Sequence, residues 1–183
     1  DAAGKCFRIP SNTTVYLEGG AVLKGCLNCD SVENVKILGY GMLLEPQQGI
    51  SVAYSKNVLI DGITVVNSRH YTVSGGQSQG ITIKNLKSFS YQGWSDGLDF
   101  MSCSDIVIDD VFLRNSILTV GIIMEIAGKY VFRILLFGLI LRIPLISVRM
   151  AIQRREMKCS KICYSKISIS WSMMKTTAII KDV

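Results

Sequence analysis

The hexapeptide Asn57-Val-Leu-Ile-Asp-Gly62 decides the fold, because three variants of it occur at regular intervals along the chain. The related segments are Asn34-Val-Lys-Ile-Leu-Gly39, Gly80-Ile-Thr-Ile-Lys-Asn85 and Asp105-Ile-Val-Ile-Asp-Asp110. They begin at positions 34, 57, 80 and 105, so successive copies lie 23, 23 and 25 residues apart. Each copy starts with a turn former and continues with alternating apolar and polar residues, which predicts a short strand with one buried face. Repeats of this length built from strands and turns are typical of a solenoid.

A coil of about 23 residues suits a parallel β-helix, in which each coil stacks about 4.8 Å above the one before it. Residues one repeat apart are then spatial neighbours. We predict two internal columns, because period-2 alternation sends both positions inward. They are Val35, Val58, Ile81 and Ile106, and Ile37, Ile60, Ile83 and Ile108. An earlier coil is predicted over residues 14–25, where glycines mark the corners.

The length of the chain and the position of its first coil limit how much of a β-helix the sequence can contain. Its 183 residues are enough for one domain with a sizeable core. They do not suffice for a large β-helix with both ends capped, and the first coil begins close to Asp1 with no signal-peptide pattern before it. We therefore expect an internal fragment of a longer protein.

Composition changes sharply after Ser116, where the repeat stops. Residues 1–116 contain 9 Lys and Arg against 11 Asp and Glu, whereas residues 117–183 contain 11 against 3, a local net charge of +8. All seven asparagines lie in the first part, and only three of the 16 glycines lie in the second. Solenoid turns need such residues. The sequence thus predicts β-helix coils over 1–116 and an aberrant basic and apolar tail over 117–183.

Three explanations are open for residues 117–183. A membrane span is disfavoured, because Arg133, Arg142 and Pro144 interrupt the apolar stretch and a span needs roughly 20 apolar residues. A basic domain that binds nucleic acid is disfavoured too, since the charges form no helical stripe and aromatic residues are sparse. The favoured explanation is a continuation in the wrong reading frame.

The genetic code supports a slipped frame. The codons of Met173-Met-Lys175, ATG-ATG-AAR, encode Asp and then Glu when they are read from the third nucleotide of each codon. The same shift turns Met157-Lys158 into Glu followed by Met or Val. The shifted tail is acidic, unlike the tail as written, so we predict that the frame slips after about residue 116.

Between the third and fourth repeats, Tyr91-Gln-Gly-Trp-Ser-Asp-Gly-Leu-Asp99 holds two carboxylates around a glycine. At this point the chain resembles the polygalacturonase-like glycoside hydrolases, family 28, of the pectin-lyase-like right-handed parallel β-helix superfamily. Their Asn-Thr-Asp-Gly-x-Asp motif is similar to Trp94-Ser-Asp-Gly-Leu-Asp99, with Trp-Ser in place of Asn-Thr. In that family an Asp-Asp pair follows about one coil later, where this chain has Ile117-Leu118.

The resemblance implies a secreted or cell-envelope hydrolase of pectin-like polysaccharides that inverts the sugar by means of paired carboxylates. One carboxylic acid protonates the leaving oxygen and one carboxylate activates water. By resemblance Asp96 is the water-activating base, Asp99 belongs to the same catalytic group, and the general acid comes from the missing pair. We therefore expect this chain to be inactive as written. In a regular strand Asp99 would face away from Asp96, so only a bend at Gly97 would bring both into one cleft.

The coil before this motif supplies candidate substrate-binding residues. His70, the single histidine, lies in the segment 67–73, one coil before the motif. We expect one face to present Arg69, His70, Tyr71 and Trp94 beside Asp96, as a groove for a polysaccharide. The alternative is an ordinary surface loop, since Asp-Gly is a common turn dipeptide. Asp109-Asp110 occupy the repeat position of Asp61-Gly62 and are predicted to be turn residues.

Six cysteines suggest a zinc site through Cys26-Leu-Asn-Cys29 and Cys159-Ser-Lys-Ile-Cys163. A zinc site needs two matched pairs or accompanying histidines, so we expect no metal and no cofactor. Cys6 and Cys103 are expected to pack inside or to remain free.

Other functions stay open beside the polygalacturonase-like one. A dextran-degrading β-helix hydrolase is an alternative, because Trp94 departs from the pectinase pattern. A polysaccharide lyase is disfavoured, since the sequence shows no acidic calcium-binding cluster. A non-catalytic carbohydrate-binding or structural β-solenoid is the alternative from a different class. For the favoured function we expect a monomer whose partner is a polysaccharide, without nucleic acid or membrane.

Overall fold

The computed structural model describes residues 5–116, 120–123, 128–136, 146–154 and 166–168, with side chains described for residues 6–116. These residues form strands and turns, and no helix occurs among them. In chain order the strands are β1 (Lys5–Arg8), β2 (Thr14–Leu17), β3 (Val22–Leu23), β4 (Gly25–Asp30), β5 (Glu33–Gly39), β6 (Met42–Leu44), β7 (Ile50–Ala53), β8 (Lys56–Asp61), β9 (Thr64–Val66), β10 (Val73–Gly76), β11 (Gln79–Lys84), β12 (Lys87–Phe89), β13 (Leu98–Met101), β14 (Ser104–Arg114), β15 (Val120–Ile123), β16 (Gly128–Leu136), β17 (Ile146–Arg154) and β18 (Lys166–Ser168).

Two sheets run along the solenoid. Sheet A has the spatial order β1-β4-β7-β10-β13-β15-β18, and sheet B has the order β2-β5-β8-β11-β14-β12-β9-β6-β3. Sheet B is folded into two legs, because β14 is long enough to pair with β11 through its first half and with β12 through its second half. Each coil therefore contributes one strand to sheet A and one to each leg of sheet B. The predicted all-β parallel solenoid is confirmed, with about five turns.

The two predicted internal columns are confirmed in register. Val35 pairs with Val58, Val58 with Ile81, and Ile81 with Ile106. The second column pairs in the same way and is equally buried. Full burial of a branched aliphatic side chain contributes about 1.5–3 kcal/mol. The repeated apolar positions therefore stabilise the stack of coils.

The residues that open each repeat form one corner of the solenoid. Asn34, Asn57 and Asp105 adopt positive φ values of 56°, 53° and 53°, and Gly80 adopts 71°. This left-handed conformation favours Gly, Asn and Asp. Side-chain amides also link the coils, since Asn57 Nδ2 donates to Asn34 Oδ1 at 3.2 Å. The turn former at the start of each copy is thus a requirement of backbone geometry.

A second corner explains the residues that end each repeat. Gly39, Gly62, Asn85 and Asp110 all have positive φ there. A Cβ on Gly62 would lie 2.3 Å from the carbonyl oxygen of Gly39, so only glycine fits at that coil. The prediction that Asp109 and Asp110 are turn residues is wrong, because both lie within the continuous strand β14, which takes up the irregularity as a register shift between Asp109 and Val111 in its pairing with β16.

Parallel stacking extends one coil beyond the sequence repeat. Strand β15 pairs in parallel with β13, and β16 pairs in parallel with β14. The next pairs are antiparallel, β16 with β17 and β15 with β18. Ile117 and Leu118 lie outside the described residues. The division at residue 116 and the slipped frame stay predictions.

Two cysteine expectations have different outcomes. The expectation for Cys6 is wrong, because its sulfur is bonded to that of Cys26, and the two residues are register partners with Cα atoms 4.4 Å apart. The bond forms because β1 and β4 are adjacent parallel strands that place the two side chains side by side. Cys103 is buried, as predicted, and donates to the Met101 carbonyl at 3.4 Å.

Within the described ranges, no helix is long and apolar enough to cross a membrane.

Candidate active site

Two corner loops stack where the second leg of sheet B returns to sheet A. The lower loop, residues 67–72, joins β9 to β10, and the upper loop, residues 90–97, joins β12 to β13. The Thr72 amide donates to the carbonyls of Asp96 and Gly97, each at 3.0 Å, and the Val73 amide donates to Gly97 at 3.1 Å. Parallel stacking therefore places the segment around His70 directly beside the segment around Asp96.

The upper loop is anchored from inside by Ser95. This residue is fully buried, and its hydroxyl donates to the Gln92 carbonyl at 2.7 Å and lies 2.9 Å from the hydroxyl of Ser116. Trp94, the preceding residue, is 74% exposed. The Asp96 amide donates to the Trp94 carbonyl at 3.0 Å. The loop thus turns the serine inward and the tryptophan outward.

Asp96 and Asp99 are both half-buried and lie close together where the upper loop enters β13. The chain bends at Gly97, and β13 begins at the next residue. Within β13 Leu98 and Phe100 are buried, so Asp99 points outward, whereas Asp96 lies before the strand and does not follow its alternation. The two carboxylates are close enough that the charge of Asp99 acts on Asp96. The bend that the sequence required for a shared cleft is present.

The environment of Asp96 disfavours its charged form. Burial raises the pKa of Asp96, and the negative charge of Asp99 raises it further, while His70 opposes the shift. Its Oδ1 atom is buried and accepts no hydrogen bond from the described residues. Asp96 therefore holds a proton to higher pH than an ordinary aspartate does.

Asp99 differs from Asp96 because Tyr71 is its neighbour. The pKa of Tyr71 is raised, first by burial and then by its interaction with the Asp99 carboxylate and by the charge of Asp96. The ring of His70 meets the Tyr71 ring edge-on, with centroids 4.2 Å apart at 80°. The four residues form one group that we call the acid cluster: His70, Tyr71, Asp96 and Asp99.

The other two candidate residues lie at the rim. Arg69 is exposed, and its amide donates to the Pro46 carbonyl at 3.0 Å. Trp94 is exposed two residues before Asp96. Among the described residues neither side chain makes a recorded contact with the carboxylates. They are available to a ligand that spans the surface, but they do not belong to the acid cluster.

Sequence reasoning missed the polar residues beneath the cluster. Thr72, Ser88 and Asn115 are buried, and the Thr72 and Ser88 hydroxyls lie 2.7 Å apart. Ser88 occupies a core column in which its register partners are Val65 and Leu113. A polar residue in an otherwise apolar column was the available signal. Recognising this signal requires the register of β12 against its neighbours. The strands of this leg are too short for their sequences to show that register.

The described residues contain no group of three or more His, Cys, Asp or Glu side chains that would hold a metal ion. Cys26 is part of the disulfide with Cys6, so Cys26 and Cys29 do not form a pair of thiolate ligands. The chemistry that the acid cluster offers is proton transfer between carboxyl groups, a phenol and an imidazole.

Comparison with known proteins gives only a distant likeness to a solved structure. No protein-family model matches the chain, and no curated protein matches it. A crystal structure at 1.95 Å of a protein named a "putative glycosyl hydrolase", from Parabacteroides merdae ATCC 43184, is 13% identical, with a TM-score of 0.46. The match covers 58% of this chain and 74% of that chain. At this distance no family or reaction is transferred.

Proposed function

We propose that this chain carries the carbohydrate site of a polysaccharide-degrading glycoside hydrolase of the polygalacturonase-like type, with incomplete hydrolytic machinery. The observation that carries the proposal is the proximity of Asp96 and Asp99 on either side of the bend at Gly97. Two carboxyl groups in different environments are what glycoside hydrolysis uses.

Asp96 has the role of water-activating carboxylate in this proposal. Burial and the charge of Asp99 raise the pKa of its carboxyl group, which is the property that a general base needs. Asp99 lies beside it, next to Tyr71, and sustains its basicity through charge. Above its raised pKa, Asp96 is a stronger base than an ordinary aspartate.

The general acid is the missing part. At the sequence position where the polygalacturonase-like family has its Asp-Asp pair, this chain has Ile117-Leu118, and neither side chain transfers a proton. Inverting hydrolysis needs both an acid and a base, roughly 6.5–9.5 Å apart. We therefore expect sugar binding without appreciable hydrolysis from this chain.

A local cation favours an acidic polysaccharide. The formal net charge of +6 comes from residues 117–183, whereas residues 1–116, which hold the acid cluster, contain 9 Lys and Arg against 11 Asp and Glu, so the attraction is a local one. Arg69 is exposed beside the acid cluster, and His70 lies within it. A positive field draws polyanions to a surface. The disulfide between Cys6 and Cys26 supports an oxidising, extracellular setting, in which a monomer meets its polysaccharide.

The test measures binding and hydrolysis on the same protein. The full chain is titrated calorimetrically with oligogalacturonides and, separately, with isomalto-oligosaccharides, and reducing ends are assayed in parallel. Trp94→Ala is compared with Tyr54→Ala, because Tyr54 is 64% exposed at another corner. An aromatic contact of about 0.5–1.5 kcal/mol makes Trp94→Ala bind roughly two- to twelvefold more weakly. Tyr54→Ala binds like the parent.

Each outcome decides a different part of the proposal. Failure of the parent chain to bind any oligosaccharide refutes the carbohydrate site, and equal effects of the Trp94 and Tyr54 variants place binding elsewhere. Stronger binding of isomalto-oligosaccharides favours the dextran-degrading alternative. If the parent chain hydrolyses the oligosaccharide and Asp96→Asn abolishes that hydrolysis, the carbohydrate site is retained. The expectation that its hydrolytic machinery is incomplete is then refuted.

A further inference from the structure

The backbone of Asp96 is held by three donors. Its carbonyl oxygen accepts from the Thr72 amide at 3.0 Å, from Asn115 Nδ2 at 3.1 Å and from the Thr72 hydroxyl at 3.4 Å. Thr72 belongs to the coil before Asp96, and Asn115 belongs to the coil after it. The carbonyl is therefore clamped from both sides along the solenoid axis.

Asn115 is the member of this clamp that a side chain supplies from above. It is 1% exposed, and its Nδ2 also donates to the Thr72 hydroxyl oxygen at 3.0 Å. The orientation of the amide is settled, because a carbonyl oxygen only accepts and so Nδ2 faces Asp96. Asn115 Oδ1 is then left buried, with no hydrogen bond to a described residue.

An unpaired buried oxygen destabilises the fold. An apolar side chain of the same shape would avoid this cost, and the buried hydroxyls of Thr72 and Ser88 in the same corner would still have each other as hydrogen-bond partners at 2.7 Å. The stability of the solenoid therefore does not account for an amide at this position. What the amide does is to fix the carbonyl of the residue whose carboxyl group faces the site.

We propose that Asn115 is a positioning residue for Asp96. The Asp96 carboxyl group has an Oδ1 atom without a described hydrogen-bond donor, so its place depends on its backbone more than on its own side-chain bonds. By holding the backbone, Asn115 keeps that carboxyl group partly buried and next to Asp99. The inference rests on the proposed function, which gives the Asp96 carboxyl group its role. Its test does not depend on that function.

The test follows the titration of Asp96 in the full chain by carboxyl ¹³C NMR, with the resonance assigned through Asp96→Asn. Asn115→Leu keeps the volume and removes the donor. Thr72→Val removes the hydroxyl that contacts both Asn115 and the Asp96 carbonyl. Ser55→Ala is the matched control, because Ser55 is also 1% exposed and its hydroxyl bonds two carbonyls at a distant corner.

We expect Asn115→Leu to lower the titration midpoint of Asp96 toward the ordinary value of about 3.9. Release of the backbone exposes the carboxyl group and moves it from Asp99, the other charged and titrating neighbours being His70 and Tyr71. Thr72→Val gives a smaller shift of the same sign, and Ser55→Ala gives none. A general loss of stability would not move the midpoint in a folded variant.

An unchanged midpoint in folded Asn115→Leu overturns the inference, and so does an unchanged midpoint in Thr72→Val when Asn115→Leu does not fold. Oligogalacturonide titrations of the same proteins separate the two proposals. A parent chain that binds no sugar, together with a shifted midpoint in Asn115→Leu, refutes the proposed function and retains the positioning role. Binding of sugar by the parent chain, together with an unchanged midpoint in Asn115→Leu, retains the proposed function and refutes the positioning role.

Discussion

Gly75 offers a sharp test of core packing. It lies in β10, is buried, and has Phe100 of β13 as its register partner. The ring of Phe100, one of the largest fully buried side chains, occupies the space that a side chain at Gly75 would need. A Cβ added there would lie 2.3 Å from Phe100 Cδ1, 2.8 Å from Cε1 and 3.4 Å from Cys103 Sγ. Gly75→Ala therefore forces the ring to move.

The size of the effect follows from that distance. Carbon atoms pack best at about 3.5–4.0 Å, so the ring must shift by roughly 1.2 Å or more inside a filled core. Overpacking of this kind costs about 1–3 kcal/mol. For a chain of this length each kcal/mol lowers the melting temperature by about 2–4 °C. We expect a fall of roughly 2–12 °C.

Gly76→Ala is the matched control in the same strand. A Cβ on Gly76 would meet no heavy atom within 4 Å, and its φ is not positive. Loss of backbone freedom in the unfolded chain then makes the variant neutral or about 0.4–1 kcal/mol more stable. Urea unfolding of the two variants and the parent compares the free energies, and Phe100→Leu in the Gly75→Ala background should recover part of the loss. Equal stability of the two alanine variants would refute the packing argument.

Three further predictions concern other parts of the chain. Because the fold raises the pKa of Asp96, the stability associated with its protonated form is fully present below the unfolded value of about 3.9 and is lost as the pH rises through the folded value. The stability of Asp96→Asn relative to the parent, measured by urea unfolding, should therefore increase between pH 3 and pH 7. The exposed control Asp30→Asn should show no such increase. Parallel pH profiles for the parent and Asp96→Asn would contradict this prediction. Dithiothreitol should lower the free energy of unfolding by about 2–4 kcal/mol through the bond between Cys6 and Cys26, and it should have no such effect on the Cys6→Ser/Cys26→Ser variant. Sequencing the gene across the codons for residues 114–119 should reveal an inserted or deleted base that restores an acidic pair, and an intact frame would show that the tail is genuine.

The internal columns could be predicted because two periods coincide. Alternation at period 2 chooses the buried face, and the 23-residue spacing chooses which residues stack, so Val58 and Ile60 were placed without any structure. Turn residues were predictable for the same reason, since Asn57 stands where the backbone needs a positive φ of 53°. Both predictions depend only on the residue types and on the number of residues between successive repeats.

The disulfide and the buried polar network could not be predicted in this way. Cys6 and Cys26 are separated by 20 residues, and β1 carries no copy of the repeat that would have shown it beside β4. Asn115 and Thr72 are separated by 43 residues, and their contact crosses the corner loop, where counting along the repeat fails. Such contacts need the path of the turn, which local pattern does not contain.

The irregular spacing of the repeats and the position of the acid cluster have one cause. The last two repeats start 25 residues apart, two more than the others. The loop of residues 67–72 has six residues and the stacked loop of residues 90–97 has eight, so this corner contains both extra residues. Two extra residues inside one of these paired strands would disturb its ladder, and a slip in register would turn buried side chains outward. A corner loop can absorb it, and this one uses its extra length to project Trp94 while Ser95 stays anchored inside. The place where the chain departs from its own period is therefore where Trp94 is exposed next to the acid cluster.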